Sequence, residues 1–141
     1  MQTSGQKKKG ELLAEAKGKF VSTTVREISP SGIRLEINDE GQITGKYKAN
    51  HIETVSVLQK TDGTNEWQTK GIETTPEGDF IALWGGGTGK ATGPTTQQWE
   101  GQIQFMTQSR RLSWLNGTKA WVEGEGDAAK GEFHGKWYRL T

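Results

Sequence analysis

The chain has 141 residues, no cysteine and a formal net charge of +1, and 20 of its residues are glycine. That length supports one domain around one core, the absence of cysteine removes disulfides and thiolate metal sites, and near-neutrality without a basic stripe argues against nucleic acid as a partner. No apolar leader follows Met1 and no run approaches the roughly 20 apolar residues of a spanning helix, so no membrane association and a cytoplasmic location are expected.

In chain order, residues 1–9 end in Lys7-Lys8-Lys9 and read as a flexible basic tail, leaving 10–141 as the domain. In "GELLAEAKG" Leu12, Leu13 and Ala16 can share one face of a single short helix leading into the first strand. The segments "KFVSTTVREI", "HIETVSVLQK", "NEWQTKGIETT", "DFIALW", "QWEGQIQFMTQ", "TKAWVEGEG" and "EFHGKWYRL" are rich in β-branched and aromatic residues, many in period-two alternation, and read as strands. Turn residues punctuate them at Ser29-Pro30-Ser31-Gly32, Asn38-Asp39-Glu40-Gly41, Thr61-Asp62-Gly63, Pro76-Glu77-Gly78-Asp79 and Asn116-Gly117, the last as a type I′ hairpin turn.

About eight strands at this spacing imply an all-β antiparallel up-and-down barrel, with a β-sandwich as the alternative. The glycines favour the barrel. Gly71, Gly85, Gly86, Gly87, Gly89, Gly101, Gly124, Gly126 and Gly135 fall in or at the ends of strands, where closure demands bends. The indoles of Trp67, Trp84, Trp99, Trp114, Trp121 and Trp137 are placed to cover the gaps.

The stretch "LWGGGTGKATG" (83–93) has the look of a phosphate loop but fails the test. A P-loop needs four spacers before Gly-Lys and a hydroxyl after it; here Gly85 precedes Gly89-Lys90 by one spacer too few and Ala91 replaces the hydroxyl. A dinucleotide fingerprint would need its third glycine at Lys90, and Thr92-Gly93-Pro94-Thr95-Thr96 is turn material where a helix should start. No cofactor is expected.

Strand parity separates inner from outer residues. In "FIALW" Phe80, Ala82 and Trp84 form one face and Ile81 and Leu83 the other; in the next strand Trp99, Gly101, Ile103 and Phe105 oppose a polar face. Trp67, Phe80, Trp84, Trp99, Ile103 and Phe105 are the expected ligand-lining set, and Ile81 and Leu83, directed outward, the expected contact of a homo-oligomer.

"FIALWGGGTGKATGPTTQQWEGQIQF" resembles the strand, glycine turn and returning strand of allene oxide cyclase and dirigent barrels, and "MTQSRRLSWLNG" is similar to small uncharacterised bacterial and archaeal proteins that share the barrel. The resemblance spans Gly71 to Tyr138. It implies eight strands around an apolar cavity and assembly into trimers or dimers. It also implies a catalytic role for Glu27, since Glu27-Ile28 matches the family's Glu-Ile, although Ser29 stands where the family has asparagine. From its own residue type Glu27 reads instead as a solvated strand-end carboxylate.

Glu53, Glu73 and Glu100 lie in strands, and any two facing the lumen would make an acid–base pair. His51 and His134 read as polar residues on a sheet face, and without cysteine or a His-x-x-x-His spacing no metal site is expected. Trp114 beside Arg110-Arg111 is the one neighbourhood that suits stacking on a base or sugar; with Leu112 and Leu115 it also fits a cluster closing one barrel end. The function expected is an oligomeric barrel that binds an apolar small molecule in its lumen or serves a structural role, the alternative being a cyclase or isomerase acting on a hydrophobic substrate there.

Overall fold

The computed structural model describes residues 9–141, so the tail expected over residues 1–9 lies outside the described residues except for Lys9. Eight strands follow in order: β1 (Lys9–Ser29), β2 (Gly32–Gly45), β3 (Ala49–Gln59), β4 (Thr64–Thr74), β5 (Phe80–Ala91), β6 (Thr96–Thr107), β7 (Lys119–Asp127) and β8 (Glu132–Leu140). Each pairs antiparallel with the next, and β1 closes on β8, giving an up-and-down barrel rather than a sandwich. Among the described residues no helix is long and apolar enough to cross a membrane.

The expected helix over 10–18 is instead the first half of β1, paired on one edge with β2 and on the other with β8. Leu13, Ala14 and Ala16 are buried there, while Leu12 stays 43% exposed. A register shift between Leu12 and Ala14 lets neighbouring residues both point inward, which is why the spacing imitates a helix.

The expected turn at Asn38–Gly41 is also strand. It lies in the middle of β2, where Gly41 faces Gly18 of β1 and a Cβ at Gly41 would strike the Lys17 carbonyl. The chain reverses later, through residues 46–48, after Gly45 at φ +136°. The reversals at 29–32, 61–63 and 76–79 fall where turn chemistry puts them.

One end of the barrel is plugged. The β6–β7 connection carries a short 3-10 turn, Ser113–Leu115, that buries Leu112 and Leu115, and the Trp114 ring packs edge-on to Tyr47 at 6.3 Å with the Arg139 guanidinium at 5.6 Å. Arg111 bridges Glu77 and Asp79 instead of flanking a stacking platform. Asn116 (φ −65°, ψ 128°) and Gly117 (φ +79°) form a type II turn under a Thr118 N–H to Leu115 O bond of 3.0 Å, not the type I′ hairpin turn expected.

The glycine-rich wall works as a set of close approaches. Gly87 faces Gly101 across β5 and β6, and Gly124 faces Gly135 across β7 and β8. The Trp67 indole lies 2.8 Å from where a Gly101 Cβ would be, and the Trp99 indole 2.5 Å from that of Gly135. Two indoles therefore occupy the space that side chains would fill, the arrangement that curvature needs. A Cβ at Gly87 would run into the Glu100 carbonyl and the Gly101 Cα. Gly87→Ala is expected to lower stability in urea by roughly 1–3 kcal/mol; Gly126→Ala, whose Cβ would meet chiefly the end of the Phe20 ring, should cost less than half as much. Equal effects would show that backbone approach is not the constraint.

Candidate functional site

Residues opposite one another on antiparallel strands share a face. The register pairs Asp39 with Glu53, His51 with Glu73, and Val55 with Thr69, and all six point into the barrel. β2, β3 and β4 thus deliver three carboxylates and an imidazole to one inner corner. Gly71, opposite Glu53, supplies the room: a Cβ there would lie 3.1 Å from that of Glu53.

The corner is tightly connected. His51 is 2% exposed, with Nδ1 2.8 Å from Glu73 Oε2 and Nε2 3.3 Å from Glu53 Oε1. Glu73 is fully buried and accepts a 2.6 Å bond on Oε1 from the Tyr47 hydroxyl, brought in by the β2–β3 loop. Thr69 donates to Glu53 Oε2 at 2.5 Å. Asp39, 5% exposed, puts Oδ1 3.9 Å from His51 Nε2, and that oxygen has no hydrogen-bond partner among the described residues. Trp137 stands edge-on to the imidazole at 6.0 Å.

Burial and coupling shift the charges here. Burial and the adjacent Glu53 push the Asp39 carboxyl up to about 9. For His51, burial alone would favour the neutral ring, but bonds to Glu53 and Glu73 outweigh it and raise the imidazole to about 10. Burial likewise acts to raise Glu53; the His51 contact overcomes it and holds that carboxylate below its ordinary range. Burial, followed by the charge of Glu73, pushes the Tyr47 phenol well above its usual value.

Above this corner lies a cavity of about 400 Å³, lined by Leu35, Val57, Trp67, Leu83, Trp99 and Ile103 and by the corner itself. Gly93, Pro94 and Thr95 of the β5–β6 turn line its far end, away from the Trp114 plug. Most of the wall is apolar, and the charged groups gather at one place.

Three of the six expected lining residues, Trp67, Trp99 and Ile103, face this cavity. Phe105 is buried at 3% exposure but packs 5.9 Å from the Trp137 ring, in the core rather than on the cavity wall. Phe80 and Trp84 are a correction: they are 57% and 41% exposed on the outer face, while Ile81 and Leu83 are inside. β5 is apolar on both faces, so its own pattern carries no parity; the pairing of Leu83 with Phe105 decides it. Glu27, offered as catalytic, lies outside the cavity wall, its side chain 60% exposed and 3.6 Å from Arg34. Its position follows a further irregularity in β1, between Val25 and Glu27.

Glu53 and Glu73 do meet in the lumen, and His51, read as a sheet-face residue, joins them. His134 and Glu100 occupy the outer parity of their strands. Asp39, Tyr47 and Thr69 were not anticipated. A signal for Asp39 exists: Ile33, Leu35, Ile37, Asp39, Gly41 and Ile43 alternate with Arg34, Glu36, Asn38, Glu40 and Gln42, so Asp39 is a carboxylate at an apolar-parity position.

No protein-family model matches the chain, and no curated protein does. Among solved structures it is similar to a protein of unknown function from Clostridium acetobutylicum ATCC 824, at 14% identity over 93% of this chain and 97% of that one, with a TM-score of 0.82. A beta-barrel-like protein from Acinetobacter baumannii AYE is 21% identical over 93% and 94% of the two chains, with a TM-score of 0.80. An enzyme from Penicillium herquei is 20% identical over 93% and 92%, with a TM-score of 0.73. At these identities the likeness is one of fold.

Removing one partner from a buried ion pair leaves the other charge uncompensated, a loss of about 3–5 kcal/mol. Glu73→Ala strips His51 and Tyr47 of their shared acceptor, and a stability loss of that order is expected by chemical denaturation. Glu27→Gln, altering an exposed side chain, should leave the midpoint unchanged. A Glu73→Ala protein as stable as the parent would show that the corner is not held as described.

Proposed function

We propose that the barrel takes a small, largely apolar molecule into its lumen, with the body of the ligand against Trp67, Trp99 and Val57 and its one polar group at the Asp39–His51–Glu53 corner. The observation that carries this reading is the segregation of the cavity: an apolar wall enclosing about 400 Å³, with its ionisable groups at a single place. The eight-stranded up-and-down closure and the glycine-rich β5 support the resemblance to allene oxide cyclase and dirigent barrels.

A second reading is favoured by the convergence of His51, Glu53 and Asp39: an enzyme of the cyclase or isomerase kind, in which the lumen fixes the conformation of a hydrophobic substrate and the corner acts on its polar atom. Glu53, not Glu27, is the residue on which this reading turns. In binding alone, Glu53→Gln weakens the hold on the ligand; in catalysis it removes turnover while the complex still forms.

The neutral dye N-phenyl-1-naphthylamine tests the site without knowledge of the natural ligand. Its fluorescence should rise on mixing with the protein, and Val57→Trp, which fills the lumen, should weaken binding at least tenfold while circular dichroism stays that of the parent. Phe80→Ala, on the outer face, should leave binding unchanged. Dye binding indifferent to Val57→Trp but lost in Phe80→Ala would move the site out of the lumen.

Self-association belongs to the same proposal, through a different surface from the one expected. Ile52, Ile72, Ala82 and Met106 are directly opposite one another on β3 to β6, forming an unbroken outer row flanked by Phe80 and Trp84. Ile52, Met106 and Phe80 are each more than half exposed. A continuous apolar face of this kind suits an isologous contact with a second copy. Sedimentation velocity should show a dimer that dissociates in Met106→Glu/Trp84→Lys; a parent protein that sediments as a monomer at high concentration would dismiss it.

A further inference from the structure

One atom in the corner is left over. Asp39 Oδ1 is buried without a hydrogen-bond partner among the described residues, in a residue 5% exposed, beside two groups that already satisfy each other. An unpaired buried acceptor is costly, and more so when charged. Such an atom is explained by a partner that sits between it and its neighbours.

The geometry points to a mononuclear site for a divalent first-row transition-metal ion, held by His51 Nε2, Asp39 Oδ1 and Glu53 Oε1, with its open side toward the lumen. The donor atoms of the three residues lie within 4.8 Å of one another, and Nε2 is 3.3 Å from Glu53 Oε1 and 3.9 Å from Asp39 Oδ1. Ligands about 2.0–2.2 Å from a tetrahedral ion stand about 3.4 Å apart, so a small rotation of Asp39 completes the set.

The surroundings are those of ligands held in place. Glu73 takes His51 Nδ1, which leaves Nε2 as the nitrogen facing the corner; Tyr47 fixes Glu73 in turn, and Thr69 holds the second oxygen of Glu53. A carboxylate behind a metal-bound imidazole fixes its tautomer and raises its basicity. A dication would take one donor atom from each of Asp39, His51 and Glu53 at a single point. One imidazole and two carboxylates suit zinc, manganese or iron, and three protein donors leave a position for an oxygen of the lumen ligand. An ion there would polarise that oxygen as a Lewis acid, which gives the polar end of the proposed ligand its chemistry. Metal binding itself does not depend on the lumen reading.

The test uses the chelator-treated whole chain with metal alone. Calorimetry with Zn2+ should give one ion per chain, Co2+ should develop visible absorption, and Asp39→Asn and Glu53→Gln should each weaken binding at least tenfold. His134→Gln, on the outer face, should bind as the parent does. Because the corner variants also alter packing, the unmodified protein supplies a second measurement: the ring-nitrogen resonances of His51 should move on adding Zn2+ and those of His134 should not. No heat and no absorption, or shifts confined to His134, or full-strength binding in both corner variants would overturn the site. Failure here leaves dye binding in the lumen untouched, and failure of dye binding leaves the metal result standing.

Discussion

A histidine enclosed in an apolar barrel has to be balanced, and His51 is balanced from both ring nitrogens. Glu73 holds Nδ1 from the strand beside it, and Glu53 faces Nε2 from two residues along the same strand. This pair of contacts depends on the β3–β4 register, because a slip of one residue would put Glu73 of β4 on the opposite face from His51 and Glu53 of β3. It also draws in elements beyond the two strands. Tyr47 in the β2–β3 loop is tied through Glu73, and Asp39 of β2 lies directly opposite Glu53. The corner therefore staples three strands and a loop, and its buried charges favour the native register over its neighbours.

The rest of the lumen solves a different problem, that of curving a sheet tightly while keeping a hole in it. Side chains on every inward position of β5 to β8 would fill the barrel. Glycine at 85, 87, 101, 124 and 135 removes them, and Trp67 and Trp99, 6.3 Å apart and nearly perpendicular, restore enough packing to keep the wall continuous. Fewer and larger side chains leave a cavity where many small ones would not. The glycine run that imitates a phosphate loop is this device: Gly85 to Gly89 are strand residues of β5, with backbone groups committed to β4 and β6. Nothing in them is free to curl around an anion.

How much of this was legible in the sequence follows from how each signal works. Strand content and closure were legible, because alternation and spacing are local properties and glycines at strand positions have few other uses. The inner face of β6 was legible for the same reason: its opposite face is polar. The face of β5 was not, since Phe80 to Trp84 is apolar throughout and only the pairing of Leu83 with Phe105 orients it. β1 misled twice through irregularities, once by making Leu12 to Ala16 look helical and once by turning Glu27 away from the lumen. The loss of β2 as a strand was a matter of residue type. Asn38-Asp39-Glu40-Gly41 is turn chemistry by composition, yet Asp39 is there for the corner and Gly41 for the approach of β1. Local sequence rules fail most informatively where a residue is kept for something other than the local structure.

That failure has a direction. A polar residue at an apolar-parity position costs stability unless its neighbours satisfy it, and in this barrel the neighbours satisfy three of four: Glu73 by Tyr47 and His51, Glu53 by Thr69 and His51, His51 by both carboxylates. A network built only for stability would have ended there, with an apolar residue at position 39 to match Leu35 and Ile37. Asp39 adds a third carboxyl group beside two that already answer the imidazole, and burial together with the neighbouring Glu53 pushes it up to about 9. Like His51 and Glu53, Asp39 is among the residues that line the cavity. The least satisfied member of the corner thus lies on the cavity wall with His51 and Glu53, where a polar group is kept at some cost to local stability.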